Sequence, residues 1–163
     1  MVVTIMSDDC FENMCFFHGF SEQQLDLLRP LFILKYLPTG TELFEQGEET
    51  EYLYLVVEGE INIRFKPDDG PAITVARVHP EGVVGWSAAI GRPRYTSSAI
   101  CVTDSKLLCT RNQDLRHLCE NHQETGMLLL ERLTDLISER LQSTHHQVKA
   151  MLVQGLMVNI NNP

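Results

Sequence analysis

Residues 82–99, GVVGWSAAIGRPRYTSSA, bring together small residues, two arginines, a run of hydroxyls and the only tryptophan of the chain. Glycine lets a backbone approach a ligand closely, and successive amides then point at one spot, so this stretch is composed to cradle an anion. The candidate lining is Gly85, Trp86, Ser87, Arg94, Tyr95 and Thr96, with Arg92 as a second guanidinium and Ser97 and Ser98 as further hydroxyls. The competing reading makes Arg92 and Arg94 solvated loop residues and the hydroxyls strand surface. Trp86 also has two readings. As an apolar body it fills the pocket and leaves an interaction scaffold without a ligand, whereas as a binding residue it stacks on a flat ring and donates its N–H.

Other chemistries find less support. His18, His79, His117 and His122 are scattered with no His-x-His, and His145 and His146, adjacent on a helix, point in different directions. Cys10, Cys15 and His18 hint at a metal clip but lack a second closely spaced pair. There is no Gly-x-Ser-x-Gly, no Walker loop and no dinucleotide fingerprint. The sequence predicts a non-enzyme without catalytic residues, metal or resident cofactor.

The elements that must position residues 82–99 follow from composition and periodicity. A chain of 163 residues with 44% hydrophobic and 21% charged residues suits one globular domain, and at this size roughly 70% of the unfolded surface is buried. The net charge of -9 argues against DNA or RNA as partner. It is unevenly spread: residues 1–60 hold twelve acids and two bases, residues 61–120 six acids and eight bases. Five cysteines and no secretory leader imply reduced thiols and a cytoplasmic location. No apolar run approaches the ~18 residues of a membrane span.

Residues 1–30 read as an N-terminal helical segment, in which SEQQLDLLR (21–29) begins on a capping residue and stops before Pro30, with CFFHGF docking it on a core. Residues 31–112 become short Val-, Ile-, Leu- and aromatic-rich runs broken by PTG, QGEE, EGE, KPDDG and HPEG, which predicts an antiparallel β sandwich or barrel of about eight short strands. Within YLYLVVEGEINIRF, Gly59 is expected to turn a tight hairpin. Residues 113–155 return to a helical period: a short helix carries Leu115, Leu118 and Cys119 on one stripe, and a long one runs from about Glu124 to Gln154, ending at Gly155 before a tail, 156–163. In the long helix Leu130, Ile137, Thr144 and Met151 fall seven apart, with Leu133 or Thr134, Leu141 and Val148 between them. The first half of this stripe is expected to pack on the sandwich, and residues from about 126 to 152 to form a homodimer seam.

This order of elements, and more specifically LPTGTELFEQGEETEYLYLVVEGEINI, resembles the cyclic nucleotide-binding domain. The matching positions are Pro38, Gly40, Phe44, Gln46, Gly47, Glu48, Leu53, Tyr54, Glu58 and Gly59, and the likeness extends over roughly residues 16–152. The resemblance implies a mainly β fold with flanking helices: an antiparallel β-roll (double-stranded β-helix), an N-terminal helix, a short helix and a long C-terminal helix. It also implies a phosphate-binding cassette of Gly-Glu, a short helix, then Arg. The Glu accepts the ribose 2'-hydroxyl and the Arg pairs with the cyclic phosphate, while backbone amides add donors.

Measured against that pattern, Gly85 keeps its place, Trp86 stands in the Glu slot, and Tyr95 in the Arg slot with Arg94 one position early. HPEG replaces the usual Pro-Gly-Asp, which puts Glu81 at the glycine position. Losing the carboxylate removes a charge-assisted bond of about 1.5–3 kcal/mol. The resemblance further implies a polar contact from the long helix, for which Ser143, Thr144 and His145 are candidates. Transcription factors of this superfamily carry a helix-turn-helix after the long helix; LMVNINNP does not supply one, so a stand-alone module without DNA binding is expected. The expectation is a regulatory, signal-transducing module that senses a small anionic or nucleotide-like ligand. The alternatives are a ligand-free scaffold with a plugged pocket, and cyclic AMP held by Arg94. A downstream protein is the expected recipient of the signal.

Overall fold

The computed structural model describes residues 2–4, 9–87, 89 and 91–160. Two antiparallel sheets form the roll. The first has the order β1 (Val2–Thr4), β2 (Phe32–Leu37), β9 (Ser105–Arg111), β4 (Tyr52–Glu58), β7 (Val83–Val84). The second has the order β3 (Glu42–Phe44), β8 (Ser98–Cys101), β5 (Ile61–Phe65), β6 (Ile73–Val78). The helices are α1 (Asp9–Asn13), α2 (Glu22–Leu28), α3 (Asn112–Asn121) and α4 (Gln123–Ile160). Strands β2 to β9 are the eight expected between residues 31 and 112; β1 adds a ninth, paired on β2.

The near-continuous apolar run of β4 reflects burial on both faces. Leu53 and Leu55 join Phe32, Leu34, Val83 and Leu108 in a core shared with the helices, while Tyr54 and Val56 join Ile61, Ile63, Leu107 and Cys109 in the roll interior. The first sheet is therefore a wall between two cores. In the second sheet β8 alternates half-buried and buried residues, as a strand with one core face should.

The expected hairpin at Gly59 does not form. β4 pairs with β7 and β9, whereas β5 pairs with β6 and β8, so the turn carries the chain from one sheet to the other. Two apolar runs around a glycine fit either arrangement, and the corner geometry decides: Gly59 has φ +94°, and a Cβ there would lie 2.8 Å from the Asp104 carbonyl oxygen.

Helix α2 starts as its sequence dictates, with Ser21 and Gln24 forming a reciprocal capping box. Phe16, Phe17 and Phe20 are buried beneath it with Phe11 and Phe32. Leu115 and Leu118 of α3 and Leu129 and Leu133 of α4 enter the same core, so the first part of the long helix does pack on its own roll. Helix α4 continues through Gly155 to Ile160, correcting the expected stop; residues 161–163 lie outside the described residues. An interior glycine weakens a helix by about 1 kcal/mol, which does not by itself end one. No helix among the described residues is long and apolar enough to cross a membrane.

Candidate functional site

The rim of the site is tied to the turn that follows β3. Gly47 donates its N–H to the Tyr95 carbonyl at 2.9 Å, and Tyr95 returns its own N–H to the Glu48 carbonyl at 2.9 Å. Thr50 donates its N–H to Pro93 at 3.1 Å and its hydroxyl to the Arg92 carbonyl. Gln46 holds this turn to the end of β5: its Nε2 donates to the Lys66 carbonyl at 3.1 Å and its Oε1 accepts the Lys66 N–H at 2.9 Å. Ser98 belongs to the same frame, its hydroxyl accepting the Gln46 N–H at 2.9 Å. Of the two readings the sequence left for Ser98, ligand hydroxyl or strand residue, the structure gives the second.

Inside that rim lies a cavity of about 340 Å³, at the small end of ligand pockets. Gly85, Trp86, Ser87, Tyr95 and Thr96 line it, joined by Ser97. Phe44, Ile63, Phe65 and Val75 supply apolar walls. Gly85 has φ +78°, and a Cβ there would meet the Tyr52 carbonyl oxygen at 2.8 Å, so the backbone passes β4 too closely for any side chain. Past Gly85 the described residues turn: Ala89 donates its N–H to the Trp86 carbonyl at 3.0 Å, and Arg92 to the Ser87 carbonyl at 3.0 Å.

Trp86 is half-buried and packs against the helix-side core while lining the cavity, so its indole forms a wall and open volume remains beside it. Tyr95 is 5% exposed. Its ring stacks on Phe44 with centroids 3.7 Å apart and planes 12° from parallel. Its hydroxyl donates to the Tyr52 carbonyl at 2.7 Å and accepts the Tyr52 N–H at 3.0 Å. Burial raises the phenol above the usual tyrosine range, so it stays neutral. The slot that the resemblance gives to an arginine is thus filled by a neutral, hydrogen-bonded aromatic side chain.

Arg94 does not join the other five candidates. Its side chain is exposed and its Nη1 donates to the Gly47 carbonyl at 2.7 Å, on the rim and away from the cavity lining. Displaced by one residue from Tyr95, its side chain leaves the opposite side of an extended segment. Arg92 is exposed as well.

The cation in the cavity is Arg140, from α4, and sequence reasoning missed it. Its Nη1 donates to the Val83 carbonyl at 3.2 Å, which fastens the long helix to β7. Burial lowers its pKa from the ordinary arginine value, and the guanidinium remains charged at neutral pH. Ser143 and His145, expected to make the polar contact from this helix, are exposed, and the side chain of Thr144 lies outside those described. One turn separates Arg140 from Thr144, a spacing that periodicity alone does not resolve. Among the described residues no group of three His, Cys, Asp or Glu is close enough to hold a metal ion; Cys10 is buried and Cys15 exposed.

Comparison with known proteins agrees with this architecture. The description of the cyclic nucleotide-binding domain matches residues 34–122. The Cyclic AMP receptor protein of Thermus thermophilus is 27% identical over 126 residues, covering 77% of this chain and 56% of that protein, so the chain spans little more than half of that relative. A provisionally named cyclic nucleotide-binding protein of Geobacter metallireducens has a solved structure similar over 83% of this chain and 98% of its own, with 26% identity and a TM-score of 0.73. A cyclic nucleotide-binding domain from Methylobacillus flagellatus superposes with a TM-score of 0.76 over 88% of this chain and 80% of its own; at 20% identity it shows the shared fold.

Proposed function

Because the chain belongs to the cyclic nucleotide-binding domain family, we propose that it is a non-catalytic regulatory module whose cavity receives a small anionic or nucleotide-like ligand. The observation that carries this reading is the open volume beside Trp86, walled by aromatic side chains and furnished with hydroxyls and one guanidinium. Gly85, Trp86, Ser87 and Thr96 contact the ligand in this reading, and Tyr95 holds the wall. Because Arg140 belongs to α4 and touches β7, a ligand that alters this contact shifts the long helix against the roll. Such a shift requires only different affinities for the two helix positions.

The module acts in the cytoplasm as a homodimer through α4. Met127, Leu130 and Leu141 are exposed on that helix at 65%, 44% and 57%, and with Thr134 and Ile137 they repeat by threes and fours, the half-buried Ile137 also packing against the chain's own core. Leu133 is buried in the chain's own core, so Thr134 takes the intervening seam position. The side chains of Val148 and Met151, the later seam positions, lie outside those described. Sedimentation over a concentration series should show a dimer that Leu141→Lys weakens; a monomer at every concentration contradicts the seam.

Cyclic AMP as the ligand is the second reading, favoured by the likeness to the Thermus receptor. Trp86 in the carboxylate slot and Tyr95 in the arginine slot count against tight binding by the family's usual contacts. A thermal-shift panel of cyclic AMP, cyclic GMP, cyclic di-GMP, phenylacetate, phenyl phosphate, 2-oxo acids and inorganic phosphate tests the function. A ligand at a hundredfold excess over Kd adds about 2.7 kcal/mol, a rise of roughly 5–10 °C for a chain of this size. A flat response to every compound contradicts ligand sensing and favours the scaffold.

A further inference from the structure

The charges around the cavity are arranged unlike its hydroxyls. Phe44, Phe65, Val75 and Trp86 make the walls apolar, and no carboxylate lines them among the described residues. A ribose hydroxyl has no carboxylate acceptor there. The cassette's own arginine faces the rim, where Gly47 takes its hydrogen bond. The guanidinium at the cavity comes instead from residue 140, on the helix that closes over the roll. An arginine at an apolar wall is a strong recognition element for a planar anion, because its fork of N–H donors matches a carboxylate or phosphate in two parallel bonds.

We propose that Arg140 on the long helix holds the charged group of the ligand in place of the cassette arginine, and that the ligand is a compact aryl anion, a carboxylate or phosphate on a flat apolar body. This rests on the cavity being a ligand site. The aryl body lies against Trp86 and the walls, and Ser87 and Thr96 supply hydroxyls to the anionic oxygens. The cavity of about 340 Å³ suits one ring and its acid group. Because the recognising charge rides on α4, occupancy reads out as a change in the helix's hold on Val83. In a cassette-based site the helix would learn of the anion only through the roll.

The test uses the whole chain and the emission of Trp86, the only tryptophan. Titrate phenylacetate, phenyl phosphate and cyclic AMP into wild type, Arg140→Gln, Arg140→Lys and Arg94→Gln. The result expected is a saturable change with at least one aryl anion that is stronger than with cyclic AMP. Arg140→Gln should weaken it about tenfold to a hundredfold, as loss of a charge-assisted hydrogen bond does, Arg140→Lys should recover part of it, and Arg94→Gln should leave it within about twofold of wild type. Unchanged affinity in Arg140→Gln overturns the assignment. Cyclic AMP binding that depends on Arg94 overturns it too, while leaving the regulatory function standing. Failure of both aryl probes against wild type overturns the ligand class, and the wider thermal-shift panel then judges ligand sensing separately. Circular dichroism melts of each variant without ligand establish that Arg140→Gln is folded; if it is not, Arg140→Lys alone carries the comparison, with a severalfold loss expected because an ammonium does not reproduce the fork.

Discussion

Residues 38–59 and residues 79–98 belong to the same roll and have been treated differently. In the first stretch the family's residues stand where packing or backbone geometry demands them: Phe44 in the aromatic stack, Gln46 clamping Lys66, Gly59 at the sheet-to-sheet corner. In the second, the positions that the resemblance gives to a glycine, a carboxylate and an arginine hold Glu81, with φ +70°, Trp86 and Tyr95. The first stretch is gripped from both faces of a sheet, so its residues answer to two cores. In the second, Val83, Val84 and Tyr95 enter the same two cores, while the exposed residues 91–94 are tied to the first stretch by rim hydrogen bonds. On the slots that the resemblance assigns, the contrast teaches that a position expected to grip a ligand can serve the scaffold instead, as Tyr95 does through Phe44 and Tyr52.

The strongest way to break the comparison is in the scaffold. Leu55→Ala, at a fully buried position of β4, should cost about 2–5 kcal/mol in urea unfolding. A loss comparable to a surface change would mean that β4 is not the shared wall. Next is Tyr95→Phe, which strands the N–H and carbonyl of Tyr52 and should cost about 1–3 kcal/mol. If Tyr95 were instead only a ligand contact, stability would not move. Glu81→Gly should stabilise, by about 0.5–1 kcal/mol after the entropy of glycine offsets part of the left-handed strain. It also removes the Oε2 of Glu81, which is buried without a hydrogen-bond partner among the described residues. A lower melting temperature would show that the new residue has its own role.

The smallest effect lies at the acid end. Asp104 accepts the N–H and hydroxyl of Thr39 at 2.8 and 3.0 Å, and these bonds hold its carboxyl below the usual aspartate range. The unfolded chain therefore binds this proton more tightly than the folded one. The contribution is complete above the ordinary aspartate pKa of about 3.9 and is lost as pH falls from there through the lower folded value. Asp104→Asn should flatten the stability-against-pH curve in that window and leave it unchanged near neutrality apart from a constant offset.

The roll, the capping box at Ser21 and the packing of the first half of α4 were legible because each follows from a local pattern that the tertiary structure reinforces. The Gly59 corner was not: a turn residue between two apolar runs does not say which sheet the second run joins. Five of the six candidate site residues line one cavity because β4 holds the stretch at Gly85 and the turn after β3 holds it at Tyr95. Arg94 does not, since a one-residue displacement in an extended segment reverses the side a residue faces. Arg140 falls seven residues after Leu133, on the docking face of α4, but as a charged residue it gave that stripe no apolar signal to extend. Its neighbours Glu139 and Leu141 are exposed, and only the docking of Leu129 and Leu133 fixes which face of α4 turns to the roll.

The most direct test of the account is a crystal structure of the protein with an aryl anion, phenylacetate or phenyl phosphate, bound. The account predicts the acid group in paired hydrogen bonds with the Arg140 guanidinium and the ring against Trp86, with the Tyr95 hydroxyl still on Tyr52. An anion seated on Arg94 or Arg92 inside the rim, with the Arg140 guanidinium making no contact to it, would contradict it.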